Sequence, residues 1–473
     1  MPCQLTNTLI ALPASPDPSK KITDLASIPS YQTLRLPSFG LKRNVAPDKF
    51  RQPICVALRP RSDRRPRLSG RGGFYRGYER DQDDRPTTSD QRQIPSPSQA
   101  LPYNAVRNPD PTTLVQPSLI DPDISRAWTL PASFYLDPAI AAQEKDKIFS
   151  RTWQVVGHHD QVSNSGDYFT TQFAGEPLLI VRGGDHQLRA FFNVCRHRAG
   201  PPAEGCGSRK LFRCVYHGWT YNLDGSLNHA TEIEGVEGFK PEDFALAPVR
   251  CAEWFHLVFV NLDANAPPLL DSLGQLPTQA ERFQFQTMKL LERRTYDMKC
   301  NWKTYVDNYL EGYHLPTVHP GLNRELDFNA YTVEPHARHV RQWSPIRGAQ
   351  PGDTTPRRYQ ETGEGLTTDY FWAFPNWMLN CYPDNVSLNI VHPVEPERSL
   401  AIFEWYLPEK DLGSEAAKAS VRFSDEIQQE DMAICEAVQK NLRSRSYQRG
   451  RFSVKQEKGV HAFHRMYAQT MCT

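Results

Sequence analysis

Two short stretches each bring one cysteine and one histidine together: Cys195-Arg196-His197 and, after sixteen intervening residues, Cys214-Val215-Tyr216-His217, followed at once by Gly218-Trp219. Thiolates and imidazoles in an S₂N₂ set suit zinc or an iron–sulfur cluster, so ligand type alone leaves both open. The spacing separates them. One stretch reads C-x-H and the other C-x-x-H, so both sulfurs can hold one iron and both imidazoles the other, as in a [2Fe–2S] cluster with two histidines replacing two thiolates. Neutral imidazoles raise the potential of such a cluster, which then accepts electrons from an ordinary ferredoxin or flavin donor. Three of the ten cysteines fall within 195–214 and the rest are scattered. The N-terminus shows no basic segment, apolar core and small-residue cleavage site, so metal ligation fits the cysteines better than a disulfide framework.

A second set lies downstream. Asn301-Trp302-Lys303 leads into Asp307-Asn308-Tyr309-Leu310-Glu311-Gly312-Tyr313-His314, and His319-Pro320 follows. On a helix Glu311 and His314 share a face, and a loosened turn at Leu315-Pro316 brings His319 round to the same point. Two imidazoles and a carboxylate on one face of an octahedral ion leave positions open for O₂ and substrate, the site of a non-haem Fe(II) oxygenase. On spacing, the carboxylate is Glu311, Asp384 or Asp431. His256, His392, His461 and His464 lack such surroundings and read as structural.

Rigid elements must hold both sets. From Trp153 to about Asp263, Gly, Asp and Pro punctuate short β-rich runs (Leu178 to Val181, Arg189 to Val194, Leu257 to Val260), the texture of a small antiparallel domain. Before them Asp137-Pro138 opens a helical stretch, Ala139 to Arg151, whose Ile140, Ile148 and Phe149 share a face. Residues 126–265 are thus expected to form one domain. After Ala266-Pro267-Pro268, residues 282–473 form a second, of class α+β. It has strands around Leu388 to Val391 and Leu400 to Tyr406 and a long helix from Ser420 to Leu442, a helix-grip arrangement of antiparallel sheet and C-terminal helix.

Residues 1–125 differ. The first 120 hold 17 of the 39 prolines and 18 Lys and Arg against 10 Asp and Glu, which leaves +8 there and −7 over the remainder. Runs such as Arg59 to Arg67 bury too little apolar surface to offset ordering entropy, so a disordered tail is expected. A targeting peptide or a misassigned start also fits this composition. Over the whole chain the net charge is +1, which gives no general attraction to nucleic acid, and no apolar run approaches the roughly 18 residues that span a bilayer. The expectation is a soluble, cytoplasmic protein with neither nucleic-acid nor membrane partners.

Asn193 to Gly200, Cys214 to Trp219 and Asn222-Leu223-Asp224-Gly225-Ser226-Leu227 resemble the Rieske domain of ring-hydroxylating oxygenase α subunits. Neither histidine is followed by the cysteine that disulfide-clamped respiratory Rieske proteins require. Gln429 to Gln439, Gly450-Arg451-Phe452 and Phe463-His464 resemble the end of choline monooxygenase and related quaternary-amine oxygenases, a likeness that spans roughly residues 130–473. The spacing in Glu311-Gly312-Tyr313-His314 is nearer the bacterial carnitine and glycine-betaine members than the plant choline enzyme.

The resemblance implies a [2Fe–2S] cluster on Cys195, His197, Cys214 and His217, and Fe(II) on His314, His319 and Asp431. It makes Glu311 a bridging carboxylate that links His314 to the partner subunit's His217 across a cyclic homotrimer, and adds Asn308 to the catalytic residues. Electrons would enter at the cluster and cross to the iron, where O₂ is activated to hydroxylate a small quaternary amine such as choline. Tyr309, Trp343, Tyr370, Phe371, Trp372 and Trp377 are candidates for a box around a trimethylammonium group, although most such rings are core. Aromatic-ring dioxygenation and electron transfer without catalysis are the alternatives. No Gly-rich dinucleotide fingerprint or plant-ferredoxin cysteine spacing occurs, so the ferredoxin or flavin reductase is a separate protein.

Overall fold

Runs rich in Val, Ile, Phe and Tyr pair into two seven-stranded sheets, both antiparallel throughout. The structure is a computed structural model that describes residues 116–348 and 366–472, so most of the expected tail lies outside the described residues. Residues 116–125, also expected to be disordered, are instead packed. Ile120 is 2% exposed and Leu119 and Ile124 lie against the core, while the Asp121 carbonyl meets His461 Nε2 at 2.8 Å. Three apolar side chains in that stretch are enough to seat it.

In spatial order the first sheet comprises Gln154–His158, Leu257–Asn261, Pro248–Trp254, Leu188–Phe192, Glu176–Arg182, Asp167–Phe173 and Cys206–Ser208. A three-stranded sheet, Phe212–Arg213, Thr220–Tyr221 and Leu227–His229, stands beside it and carries the second Cys/His loop between its first two strands. The second large sheet runs Met288–Met298, Arg398–Pro408, Val386–Glu395, Trp377–Cys381, Thr367–Ala373, His339–Pro345 and Thr332–Pro335.

Its central strands are buried on both faces, and their period of two divides the side chains between two cores. Phe371, Trp377, Leu379, Leu388 and Ile390 pack with Trp254 and Phe259 of the first sheet, with Trp153 just before it, and with Leu269, Leu273 and Leu276. Trp372, Met378, Val391, Phe403 and Trp405 face the helices, meeting Trp302, Tyr305, Val421, Cys435 and Phe463.

Helix boundaries shift for local reasons. The first helix is Pro138–Lys147, with the Asp137 carboxylate accepting from Ala139 N at 2.8 Å, and Ile148 and Phe149 are buried beyond its end. The long helix begins before the expected Ser420, at Glu415, because Ser414 Oγ accepts from Ala417 N at 3.0 Å and caps it.

A buried ion pair ties the helices together. Lys303, wholly buried in the helix Trp302–Tyr309, contacts Glu144 of the first helix, and Glu144 also accepts from Trp302 Nε1 at 2.8 Å and from Tyr467 OH, on the last helix, at 2.6 Å. The Lys303 ammonium lies 5.2–5.5 Å from the ring centres of Tyr135, Trp302 and Tyr467. Burial pulls its pKa below the usual lysine value against the opposing pull of Glu144. Removing one partner leaves a bare charge in the core, so Glu144→Ala should cost about 3–5 kcal/mol in chemical denaturation. The double change Glu144→Leu with Lys303→Met should recover most of that loss, and a single-variant cost below about 1 kcal/mol would show that the pair does not hold the helices.

Candidate metal centres and catalytic cleft

The two cysteine loops fold as tight turns. Ala199 N donates to the Cys195 carbonyl at 3.0 Å with Ala199 at φ 59°, and Gly218 N donates to the Cys214 carbonyl at 3.1 Å with Gly218 at φ 75°. Each turn buries its cysteine, a free thiol in both cases, and leaves its histidine near the surface. The His197 and His217 rings lie 4.6 Å apart, and His197 stacks on buried Trp219 at 4.8 Å. A side chain on Gly200 would come within 2.8 Å of Cys214 Sγ, so the loops approach closely only because this position is glycine. Burial pushes the Cys214 thiol pKa up; the backbone N–H groups of Tyr216 and His217 pull it down, and the Cys195 thiol beside it raises it again. Sulfurs paired in the interior and imidazoles paired at the rim form the donor set of a histidine-ligated [2Fe–2S] cluster, and the four residues fit it.

Tyr221 adds a contact that the sequence did not reveal. Its hydroxyl accepts from Arg196 N at 3.0 Å and lies 3.1 Å from Cys195 Sγ, so once that sulfur is a deprotonated cluster ligand the phenol is the donor of the pair. Burial and the neighbouring Cys195 raise the phenol pKa and keep that proton in place.

Around the second set the backbone departs from the expected helix. The helix Trp302–Tyr309, capped by Asn301, stops before Glu311, whose Oε2 instead accepts from the backbone N–H groups of Tyr313 and, at 3.0 Å, His314. A side chain bonded to nearby backbone competes with helix continuation. Pro316 opens a new helical turn, Leu315–Val318, rather than loosening an old one, and His319 sits at the joint with Pro320–Glu325.

This path still gathers the residues. Donor atoms of His314, His319 and Asp431 all lie within 4.8 Å of one another, with His319 Nε2 at 2.9 Å and His314 Nε2 at 3.7 Å from Asp431 Oδ1. Both Nδ1 atoms are held from outside, His314 by Glu311 Oε1 at 2.7 Å and His319 by Glu430 Oε2 at 2.6 Å. That leaves both Nε2 atoms facing a common point, the orientation that outer carboxylates impose on metal-ligating histidines. Burial lowers the His319 pKa, but its bonds to Asp431 and Glu430 outweigh burial and hold it above the ordinary value. Two imidazoles and one carboxylate fit a non-haem iron. Of the three candidate carboxylates Asp431 joins the group, Glu311 stands behind His314, and Asp384 lies in the bend between Trp377–Cys381 and Val386–Glu395. Sequence reasoning missed Glu430; its one signal was adjacency to Asp431.

The three residues line a cleft of ≈ 660 Å³ open to solvent, together with Asn308 and Glu311. Of the expected aromatic box only Tyr309 and Tyr370 line it; Phe371, Trp372 and Trp377 are core and Trp343 Nε1 bonds Glu334. The other rings are Tyr305 from the helix Trp302–Tyr309, Tyr331 and Tyr382 from connecting segments and Phe403 from a strand. His464 is structural, as expected. It accepts from Leu130 N at 3.1 Å and meets Asp307 at 2.8 Å, fixing the helix before Glu311.

Comparison with known proteins agrees with this geometry. The Rieske [2Fe–2S] domain profile matches residues 152–240 and the catalytic domain of the ring-hydroxylating α subunit matches residues 285–473. Chloroplastic choline monooxygenase of Beta vulgaris is 33% identical over 362 residues, 74% of this chain and 79% of that protein. The carnitine monooxygenase oxygenase subunit of Escherichia coli K12 is 33% identical over 386 residues, 79% of this chain and 98% of that protein. A solved quaternary ammonium Rieske monooxygenase, studied for carnitine oxidation and inter-subunit electron transfer, superposes with a TM-score of 0.66 at 30% identity over 74% of this chain and 97% of that one. A naphthalene 1,2-dioxygenase shares the fold, with a TM-score of 0.58 at 19% identity over 73% of this chain and 92% of that one.

Fold and donor sets define an oxygenase α subunit that uses a [2Fe–2S] cluster and a mononuclear iron. The chain belongs to the Rieske ring-hydroxylating oxygenase family, whose members draw electrons from a partner protein.

Hydrogen bonds to cluster sulfurs raise the reduction potential. Tyr221→Phe should therefore lower the cluster's midpoint potential by several tens of millivolts, on a scale where ~59 mV is tenfold for one electron. Protein-film voltammetry reads this directly, and an unchanged potential would mean that the phenol does not donate to the sulfur.

Proposed function

We propose that this chain is a monooxygenase acting on a quaternary amine, with residues 126–265 as the cluster domain and 282–473 as the iron domain. The observation that carries the reading is the cleft's lining. Six aromatic rings and two carboxylates face it, and no Lys or Arg is among the described lining residues. Burial pushes the Tyr305, Tyr309 and Tyr370 phenols well above their usual pKa, so they remain neutral and present ring faces to the cleft. A permanent cation is attracted to such ring faces by about 0.5–2 kcal/mol each. The names of the similar choline and carnitine monooxygenases support the same substrate class.

In this reading Cys195, His197, Cys214 and His217 hold the cluster, and His314, His319 and Asp431 the iron. The bound groups supply single electrons and O₂ reduction for insertion into a substrate C–H bond. Glu311 keeps the His314 ring turned inward through Nδ1, and Glu430 does the same for His319. The tyrosines seat the cationic head, and Asn308 lines the cleft beside them. Glu311 would also reach the partner subunit's His217 in a homotrimer, a reading supported by the exposure of Val215 and Tyr216 beside His217 and of Tyr313 beside Glu311. A separate ferredoxin or flavin reductase feeds the cluster. No helix among the described residues is long and apolar enough to cross a membrane.

Ring hydroxylation is the weaker reading, because the buried amide oxygen of Asn389 on the cleft floor lacks a partner among the described residues, and an unsubstituted aromatic ring cannot supply one. Substrate-dependent O₂ uptake with a surrogate reductase should appear with choline, carnitine or glycine betaine and not with naphthalene or benzoate; the reverse pattern would overturn the assignment. Glu311→Gln should keep both metals while single-turnover product formation falls about 10–100-fold, and a normal rate would remove Glu311 from the path between the centres.

A further inference from the structure

The sheet floor of the cleft is built from cross-strand rows. Tyr370 pairs with Asn380, Asn380 with Ser387 and Ser387 with Trp405, while the next row is Met378, Asn389 and Phe403. Ser387 and Asn389, two apart on the strand Val386–Glu395, share the face turned to the helices. Around Asn389 the same face carries Trp372, Met378, Val391 and Phe403 in the core, with Gln342, Ser344 and Thr368 buried farther along it and outside the cleft.

Two of the three polar residues satisfy each other. Tyr309 OH donates to Asn380 Oδ1 at 2.7 Å, and Asn380 Nδ2 donates to Ser387 Oγ at 3.0 Å. Asn389 does not. It is 2% exposed and lines the same cleft as His314, His319 and Asp431, yet its Oδ1 has no hydrogen-bond partner among the described residues. Among the buried side-chain polar atoms without a partner, it is the one that belongs to a residue of the cleft. A buried polar atom left unpaired costs free energy that an apolar residue at this position would avoid. That oxygen is closed off from the cleft as the side chain stands, and a half-turn of the terminal torsion exchanges it with Nδ2, so a ligand can supply the missing partner.

We propose that Asn389 is a specificity-determining residue whose carboxamide hydrogen-bonds an uncharged hydroxyl at the far end of a quaternary amine seated among the tyrosines. This rests on the quaternary-amine reading and adds to it the chemistry of the group opposite the cation. The terminal torsion of Asn is broad and nearly two-fold, so the amide can offer the cleft a donor or an acceptor. A hydroxyl matches both; a carboxylate only accepts. A carboxylate would also meet Glu311, which stands outside the proposed iron ligands, in a cleft whose described lining includes no Lys or Arg to pair with it. The site accordingly favours an alcohol over an acid at that end.

The test compares choline with ethyltrimethylammonium, which lacks only the hydroxyl, and with glycine betaine, which carries a carboxylate, on the holoenzyme with a surrogate reductase. Wild type should prefer choline to the deoxy analogue at least tenfold in kcat/KM, because a site built to bond a hydroxyl rejects the analogue without it. Glycine betaine should be the poorer substrate. Asn389→Leu should bring the choline-to-deoxy ratio to about one, and calorimetric dissociation constants for the two amines should converge in the same way. Asn389→Ala, which removes the amide without adding bulk, gives the same comparison if the leucine variant does not fold. A wild-type ratio near one, or a ratio that both variants preserve, overturns the role of Asn389 while the quaternary-amine reading stands. Wild-type turnover of carnitine but of none of these three amines overturns this inference alone, and turnover of no quaternary amine, carnitine included, overturns that reading and this inference together.

Discussion

The catalytic half depends on holding two imidazoles and a carboxylate with their donor atoms facing one another in a partly buried place. Left to themselves, His314 and His319 could turn either ring nitrogen toward Asp431. Glu311 and Glu430 remove that freedom by taking both Nδ1 atoms from outside, which directs both Nε2 atoms inward. The arrangement places several carboxylates close together, and that density of negative charge is balanced only when the site holds cations.

The rest of the fold serves that convergence. Asp431 arrives on a 28-residue helix and the histidines on a broken, Pro-punctuated segment, so the two must be locked in register. The lock is spread over several bonds around the helix Trp302–Tyr309. Glu144 and Lys303 fasten its start, Asp307 with His464 and Tyr135 fastens its middle, and Tyr305 OH donates to Gln428 Oε1 of the long helix at 2.5 Å. The same helix thus supplies Tyr305, Asn308 and Tyr309 to the cleft while its other side is fixed in the core.

Much of this was legible in the residues. C-x-H and C-x-x-H spacing implied the pairing of sulfurs and imidazoles, and short continuous apolar runs marked strands such as Glu176–Arg182 and Leu257–Asn261 close to their observed limits. What was not legible depended on tertiary contact. Glu311 was read onto a helix because helical spacing puts it beside His314; the structure reaches the same proximity through a turn stabilised by the glutamate's own carboxylate. Which aromatic rings line the cleft is likewise invisible in the sequence. Phe371, Trp372 and Trp377 are as aromatic as Tyr305 or Tyr382, and only the register of the sheet decides which rings face the cleft. Asn389 sits unremarkably in a β-rich run and becomes informative only when its lack of a partner is seen.

The central claim is that one chain carries two separate iron centres. Iron and acid-labile sulfide analysis of the reconstituted protein, combined with electron paramagnetic resonance after one-electron reduction, tests it most directly. The account predicts about three irons and two sulfides per chain with a Rieske-type signal. In His314→Ala it predicts loss of about one iron with the signal and the sulfide unchanged. Zinc without labile sulfide in the wild type, or a third iron retained by His314→Ala together with full turnover, would contradict it.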